Sequence, residues 1–359
     1  MFDWSLYRGN LAWLPDRTIF MAIHGSRAYG TATPESDTDY RGVCVAPPEY
    51  YLGALSHFEQ AESREPDFTV FDLKKFVHLA SQCNPNVIEI LFVDESDRLQ
   101  ATPLGERLLE MRDLFLTKRV RHTFAGYAHS QMRRIRGHRE WLLHPPTHHP
   151  TRGEFSLPES TLIPKNQLEA AEAAIRQKLD SWSADFMDDL APATRQAIAN
   201  KMSEHLAEIG VSMNEELWPG AARTLGLSDN FIELLSREKR YAAAKKNWHA
   251  YETWKKERNP KRAELEARYG FDGKHAGHLY RLMTMAREIL ETGKVNVRRP
   301  DADVILSIRA GAWTYERLEE WFEREDAALA EVAAVSTLPK APDVAEIDRR
   351  TMAIIKASL

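Results

Sequence analysis

At 359 residues, 43% hydrophobic and 28% charged, the chain has the make-up of an ordinary globular protein long enough for two domains and a helical insert. A formal net charge of −5 excludes a global attraction to nucleic acid, so any such binding needs a local patch. Cys44 and Cys83 are the only cysteines, no N-terminal signal pattern precedes them, and no apolar run approaches the roughly 18 residues of a membrane helix, so the expectation is a cytoplasmic protein without a disulfide framework.

Residues 18–24 (Thr-Ile-Phe-Met-Ala-Ile-His) read as a buried strand that breaks at Gly25-Ser26. A short helix is expected from Ser26, closed by Gly30 in the left-handed region. A second strand runs from Asp39 to Val45 and stops at Pro47-Pro48, and residues 49–65 read as irregular and acidic. Asp67 to Phe71 is a third strand. Asp72 then caps a helix to Gln82, with Leu73, Phe76, Val77 and Ala80 on one side. Asn84-Pro85 opens another helix, 86–92. On it Glu89 sits among Val87, Ile88, Ile90 and Leu91; exposed helix surface is the expected place for it, an ion pair with an arginine the alternative.

From Leu104 onward strand signals nearly vanish. Helical periodicity covers 105–115 and 117–137, the second carrying Arg119, Arg121, Arg133, Arg134 and Arg136. After a proline-rich break at 145–150, further helices are expected at 166–187, 191–209, 227–268, 274–291, 301–310 and 314–335. A linker at 337–342 precedes a closing helix, 344–357. The fold class expected is α+β: an N-terminal head with a short mixed β-sheet, followed by a large all-helical body. The boundaries read as a head at 1–117, a helical domain at 118–335 with an insertion at about 141–255, and the linker and last helix at 336–359.

The chemistry is concentrated between Gly25 and Asp67. Gly25 and Ser26 offer backbone N–H groups and a hydroxyl without a bulky side chain, which suits phosphate oxygens. Asp37 and Asp39 share a face if the strand extends through them, and two such carboxylates repel unless a cation lies between them. Asp67 is the best third ligand because it opens a strand, with Thr69 and Phe71 on its face and Phe68 and Val70 opposite; Glu62, Glu65 and Asp72 are weaker candidates. A lone Asp-x-Asp would be read first as a solvated turn, its side chains bonding their own backbone. Here the preceding strand, the Gly-Ser and the third aspartate favour a metal site for phosphoryl or nucleotidyl transfer.

Gly25-Ser26 followed after ten residues by Asp37-Thr38-Asp39 resembles the hallmark of the polymerase-β-type nucleotidyltransferase superfamily. His24-Gly-Ser-Arg-Ala-Tyr-Gly30, Ser36-Asp-Thr-Asp-Tyr-Arg-Gly-Val43, Asp67-Phe-Thr-Val-Phe-Asp-Leu-Lys-Lys-Phe76 and Asn84-Pro-Asn-Val-Ile-Glu89 resemble its RNA-ligase-associated branch of predicted nucleotidyltransferases. So do the segments Phe271-Asp-Gly-Lys-His-Ala-Gly-His-Leu-Tyr-Arg281 and Thr292–Pro300. The resemblance covers roughly 18–140 and 265–325. It implies a nucleotidyltransferase head in which Gly25 and Ser26 hold a nucleoside triphosphate and Asp37, Asp39 and Asp67 hold Mg²⁺ or Mn²⁺. It also implies that Lys274 reaches the phosphates.

Lys274, His278 and Arg281 fall on one helical face, a lysine as point charge and an arginine as fork, and join the nucleotide-binding candidates. Arg27, beside the phosphate cradle, is another, unless it pairs with Glu35. His144, His148 and His149 crowd the proline-rich break and read as an exposed loop. The stretch Arg237–Arg262 interleaves lysines and arginines with Tyr241, Trp248, Tyr251 and Trp254. It suits an RNA acceptor, and equally a helix with an aromatic core stripe and solvated lysines opposite.

The reaction expected is attack of an acceptor hydroxyl on the α-phosphorus of an NTP, a two-metal NMP transfer that releases pyrophosphate. Asp67 also becomes a candidate for helping to deprotonate the acceptor. An RNA end, tRNA included, is the leading acceptor, in repair or processing. Nucleotidylylation of a protein or small molecule, or a non-catalytic nucleotide-binding module, are the alternatives.

Overall fold

Strands β1 (Thr18–His24), β2 (Asp39–Cys44), β3 (Gln60–Arg64), β4 (Asp67–Asp72) and β5 (Arg98–Ala101) form one sheet in the order β3-β4-β2-β1-β5. The β2–β4 pair is parallel and the other three are antiparallel, so the sheet is mixed. This computed structural model describes residues 2–7, 9–161, 163–187, 219–258 and 260–359. The helix expected at 191–209 lies outside the described residues.

Central β1 is apolar on both faces because both are covered, and alternation sorts its side chains. Phe20 and Ala22, with Val43 of β2, enter the main core. Met21, with Cys44, Phe68 and Val70, enters a smaller cluster closed by Phe2 and Leu14. Short helices α1 (Leu14–Arg17), α2 (Gly25–Ala28) and α3 (Pro48–Leu52) occupy the connections. The segment expected to be irregular at 49–65 is therefore corrected: it holds α3 and β3. Gln60-Ala61-Glu62-Ser63-Arg64 is a polar edge strand held by its backbone ladder to β4, which leaves no hydrophobic alternation to read. β5, Arg-Leu-Gln-Ala, escaped the sequence reading for the same reason.

Helices α4 (Leu73–Ser81) and α5 (Pro85–Leu91) follow the sheet. Asp72 caps the first, its Oδ2 accepting from the Lys74 amide at 2.9 Å, and Asn84 caps the second. Then come α6 (Pro103–Leu109) and α7 (Val120–Leu143). Helices α8 (Lys165–Met187), 219–224 and α9 (Asp229–Glu257) follow, with a small core of their own that includes Ile175, Ala222 and Leu235. The single helix expected at 227–268 is two, α9 and α10 (Pro260–Tyr269). Pro260 accounts for the break, since it has no amide hydrogen and its ring clashes with the preceding turn. The chain ends with α11 (Gly273–Thr292), α12 (Ala302–Arg309), α13 (Tyr315–Val335) and α14 (Val344–Ser358). No described helix is long and apolar enough to cross a membrane.

The chain divides into two compact units, Met1–His144 with Asn259–Leu359, and Pro145–Arg258. In the first, α11 is the axis. Leu279, Leu282, Met283, Met285, Ala286, Ile289 and Leu290 are buried along it, against α7, α12 and α13. Leu282→Ala there costs about 2–5 kcal/mol by lost contacts and residual cavity. Gly273 lets α11 approach α12, because a Cβ at that position would lie 2.7 Å from the Arg309 carbonyl oxygen. Several arginines of α7 are used internally: Arg121 pairs with Asp326 at 3.1 Å, Arg136 with Glu319 at 2.9 Å and Arg139 with Glu316 at 3.2 Å, all on α13.

Candidate active site

The main-core face of the sheet turns polar at one end. Pairing places His24 beside Asp39 and Arg64 beside Asp67, and Asp39 and Asp67 each precede the paired Tyr40 and Phe68. In-register residues of neighbouring strands point to the same side, so His24, Asp39, Asp67 and Arg64 make a row across four strands. Arg41, two residues along β2, reaches back on that face to Asp67 Oδ1 at 3.0 Å.

Gly25 follows β1 at a φ of +69°, a left-handed conformation that suits glycine, and any Cβ there would run into Asp39 Oδ2. This glycine therefore lets the Gly25-Ser26 turn and the Asp39 carboxylate occupy adjacent space. Gly30, also at positive φ, ends the turn as expected. Arg27 is exposed and donates to the backbone oxygens of Ser36 at 2.7 Å and Asp37 at 3.1 Å. It ties the loop that carries Asp37, and its partner is that backbone and not Glu35.

Asp37, Asp39 and Asp67 all line a cleft of about 690 Å³, together with Gly25, Ser26, Lys274 and His278. That size lies within the roughly 300–1,000 Å³ of small-molecule sites. Burial, a hydrogen bond to Asp67 and the negative charges of Asp67 and Asp37 push the Asp39 carboxyl up to about 6, against the pull of Arg41. The crowding of negative charge that raises Asp39 is what a bound cation would relieve. An all-oxygen set of this kind suits a hard ion such as Mg²⁺ or Mn²⁺, so the residues fit the metal that the sequence resemblance implies.

The far wall is α11 and α12. Lys274 is exposed in the first turn of α11, which Asp272 caps through its Oδ1. Asp272, Ile305 and Arg309 complete this wall, and Arg309 donates to the Thr31 carbonyl at 3.0 Å, fastening the helical body to the loop after the Gly-Ser turn. The three residues grouped on one helix face differ in state. Burial and the nearby Arg281 push the His278 imidazolium down to about 3, so it is neutral near pH 7. Arg281 is buried in an ion pair with Glu89 and stacks over the Tyr29 ring at 3.8 Å.

Glu89 is a correction. Expected on exposed surface, it is fully buried, accepting from Arg281 and from the Tyr29 hydroxyl at 2.5 Å, with His24 Nε2 at 3.4 Å. Burial alone would push its carboxyl up; Arg281, His24 and Tyr29 more than offset this and hold it well below the usual carboxylate range. This buried cluster connects β1, α2, α5 and α11 directly behind the aspartate row. Sequence reasoning missed His24, Arg41, Asp272 and Arg309 as site residues. His24, Arg41 and Asp272 carried a signal, the first two flanking the motif glycine and aspartates and the third lying in the Phe271–Arg281 segment; Arg309 carried none.

Residues 12–144 match the RNA repair pathway DNA polymerase beta family. Over that span the chain is similar to polymerase-β-type nucleotidyltransferases of the RNA-repair branch. The matched span holds the Gly-Ser turn, the three aspartates and Glu89; Lys274, His278 and Arg281 lie beyond it. No curated protein and no solved structure matches the chain.

In the second unit, the basic-aromatic stretch forms most of α9. Tyr251 is buried and Tyr241, Trp248 and Trp254 are half-buried, with Tyr241 against Phe155 and Trp248 against His149 and Tyr251. Lys239, Arg240, Lys245, Lys246, Lys255 and Lys256 are exposed. The aromatic stripe is thus at least partly packing, with the charges outward. Lys261 and Arg262 lie outside the described side chains.

Proposed function

We propose that the cleft catalyses divalent-metal-dependent transfer of NMP from an NTP to the 3′-hydroxyl of an RNA end. The observation that carries this reading is the meeting of Asp37, Asp39 and Asp67 in one cleft, with Arg41 paired to Asp67 at 3.0 Å on the same sheet face. When bound, Mg²⁺ or Mn²⁺ supplies Lewis-acid activation of the acceptor oxygen and neutralises charge on the phosphates. Asp37, Asp39 and Asp67 hold it. Gly25 and Ser26 cradle the triphosphate with backbone N–H groups and a hydroxyl, and Lys274 adds a point charge from the opposite wall. Asp67, held by Arg41, also accepts the acceptor proton. The Glu89–Arg281–Tyr29 cluster keeps β1 and α11 at a fixed separation. Exposed lysines of α9 contact the RNA backbone in this reading.

The test is to incubate the full chain with Mg²⁺ or Mn²⁺, each α-labelled NTP, and RNA, protein and small-molecule acceptor pools. Label is expected in RNA, with pyrophosphate released, and is lost in Asp37→Ala. Label on protein or on small molecules alone replaces the RNA acceptor. No transfer to any acceptor by a protein that binds NTP like Asp37→Ala overturns the catalytic reading.

A further inference from the structure

His138 of α7 and Asp272 and His275 at the start of α11 lie together, with one ligand atom from each within 4.8 Å of the other two. None belongs to the aspartate row. The surroundings are those of a metal site. Gln131 Oε1 is 2.7 Å from His275 Nδ1, so that nitrogen carries the proton and Nε2 presents a lone pair. Nε2 faces Asp272 Oδ2 at 3.5 Å, while Asp272 Oδ1 accepts from the Lys274 amide at 2.7 Å and the His275 amide at 3.2 Å. A histidine held through its other nitrogen by a carbonyl, and a carboxylate whose second oxygen is hydrogen-bonded, are the outer partners that orient metal ligands. The 3.5 Å separation is also close to the edge of a zinc tetrahedron, about 3.3 Å for bonds of about 2.0–2.1 Å.

We propose that His138, Asp272 and His275 form a second metal site, selective for a borderline-soft divalent transition ion such as Zn²⁺, with water completing the tetrahedron. Two imidazoles and one carboxylate favour Zn²⁺ over Mg²⁺, whereas the all-carboxylate row favours the reverse, so the two sites sort their ions by ligand chemistry. The ion clamps the first turn of α11 to α7. Asp272 caps that turn and Lys274 stands in it, so occupancy fixes where the lysine meets the cleft.

The test uses the full chain stripped with a chelator and titrated with Co²⁺, whose visible absorption reports tetrahedral nitrogen and oxygen coordination, then with Zn²⁺ as competitor. The wild type and the Asp37→Ala Asp39→Ala variant are each expected to give a coloured site of one equivalent that Zn²⁺ displaces and excess Mg²⁺ does not. His138→Ala and His275→Ala should lose the colour, and Gln131→Leu should weaken binding by about 10- to 100-fold. Asp272→Asn keeps a capping oxygen while removing the charge, so it tests the ligand even where a histidine variant fails to fold, as read by circular dichroism. The same colour and affinity in folded His138→Ala, His275→Ala and Asp272→Asn would overturn the site. So would the absence of colour in the wild type, which leaves His275 and Asp272 as a simple ion pair.

Discussion

Asp39 and Asp67 each precede a paired residue of the parallel β2–β4 pair, Tyr40 and Phe68, and, after burial, the negative charge of Asp67 is among the causes that raise the Asp39 carboxyl. Two acids so placed take up a proton or hold a cation between them. Asp39→Asn and Asp67→Asn are each expected to lower NMP transfer at least about 100-fold, the scale of losing one preorganised charge-stabilising group. Single-turnover transfer of α-labelled NTP measures it. Wild-type rates in either variant would remove the aspartate from the chemistry.

Lys274 is the exposed cation on the α11 wall of the cleft. Lys274→Met is expected to raise the KM for NTP by about 10- to 100-fold, the loss of one charge-assisted hydrogen bond. Steady-state kinetics at saturating acceptor separates KM from kcat. An unchanged KM would place the phosphates elsewhere.

The Glu89–Arg281 pair lies wholly inside the protein. Glu89→Gln leaves a buried guanidinium short of its counter-charge and is expected to cost about 3–5 kcal/mol. Glu89→Gln Arg281→Met should cost less than the sum of its parts, because the second change removes the stranded charge. Urea unfolding of the three variants supplies the cycle, and strict additivity would contradict the coupling.

His278 sets a pH dependence of stability. Its folded value of about 3 lies below the ordinary 6.5, so below pH 6.5 the unfolded chain takes up a proton that the folded one refuses. The contribution is fully present above pH 6.5 and drains away as pH falls toward 3. Between pH 7 and pH 5 it amounts to about 2 kcal/mol. His278→Leu should lose that much less stability over the same interval by denaturant unfolding, and parallel pH curves would rule the residue out.

Gly25→Ala should fold, destabilised by about 1–3 kcal/mol through its positive φ, and yet transfer poorly, because the added methyl displaces the Asp39 carboxylate. Activity measured beside thermal stability separates the two effects. Full activity in the alanine variant would mean that Asp39 moves freely.

What could be read from the chain was local. Gly25, Ser26, Asp37 and Asp39 sit within fifteen positions of one another, and the alternation Asp67-Phe68-Thr69-Val70-Phe71 told which face Asp67 takes, since Phe68 and Val70 do enter the smaller cluster while Phe71 packs on the main core. Caps at Asp72 and Asn84 were legible because they depend on residues two positions away. Glu89 was misread because the partner that lets a carboxylate enter an apolar core, Arg281, comes from a distant helix. β3 and β5 were invisible because backbone ladders at a sheet edge leave little mark on side-chain pattern. The same distance hid the meeting of His138 with Asp272 and His275.

Helix α11 shares one core with β1, α5 and α7, and α14 packs back onto α4 and α6. During synthesis the aspartates and the Gly-Ser turn therefore leave the ribosome long before the helices that cover Ile88, Phe124 and Met132. Until those arrive, the nascent head carries a wet apolar face and only half a cleft. A 12–144 segment alone would accordingly leave that apolar face uncovered and the α11 wall of the cleft missing.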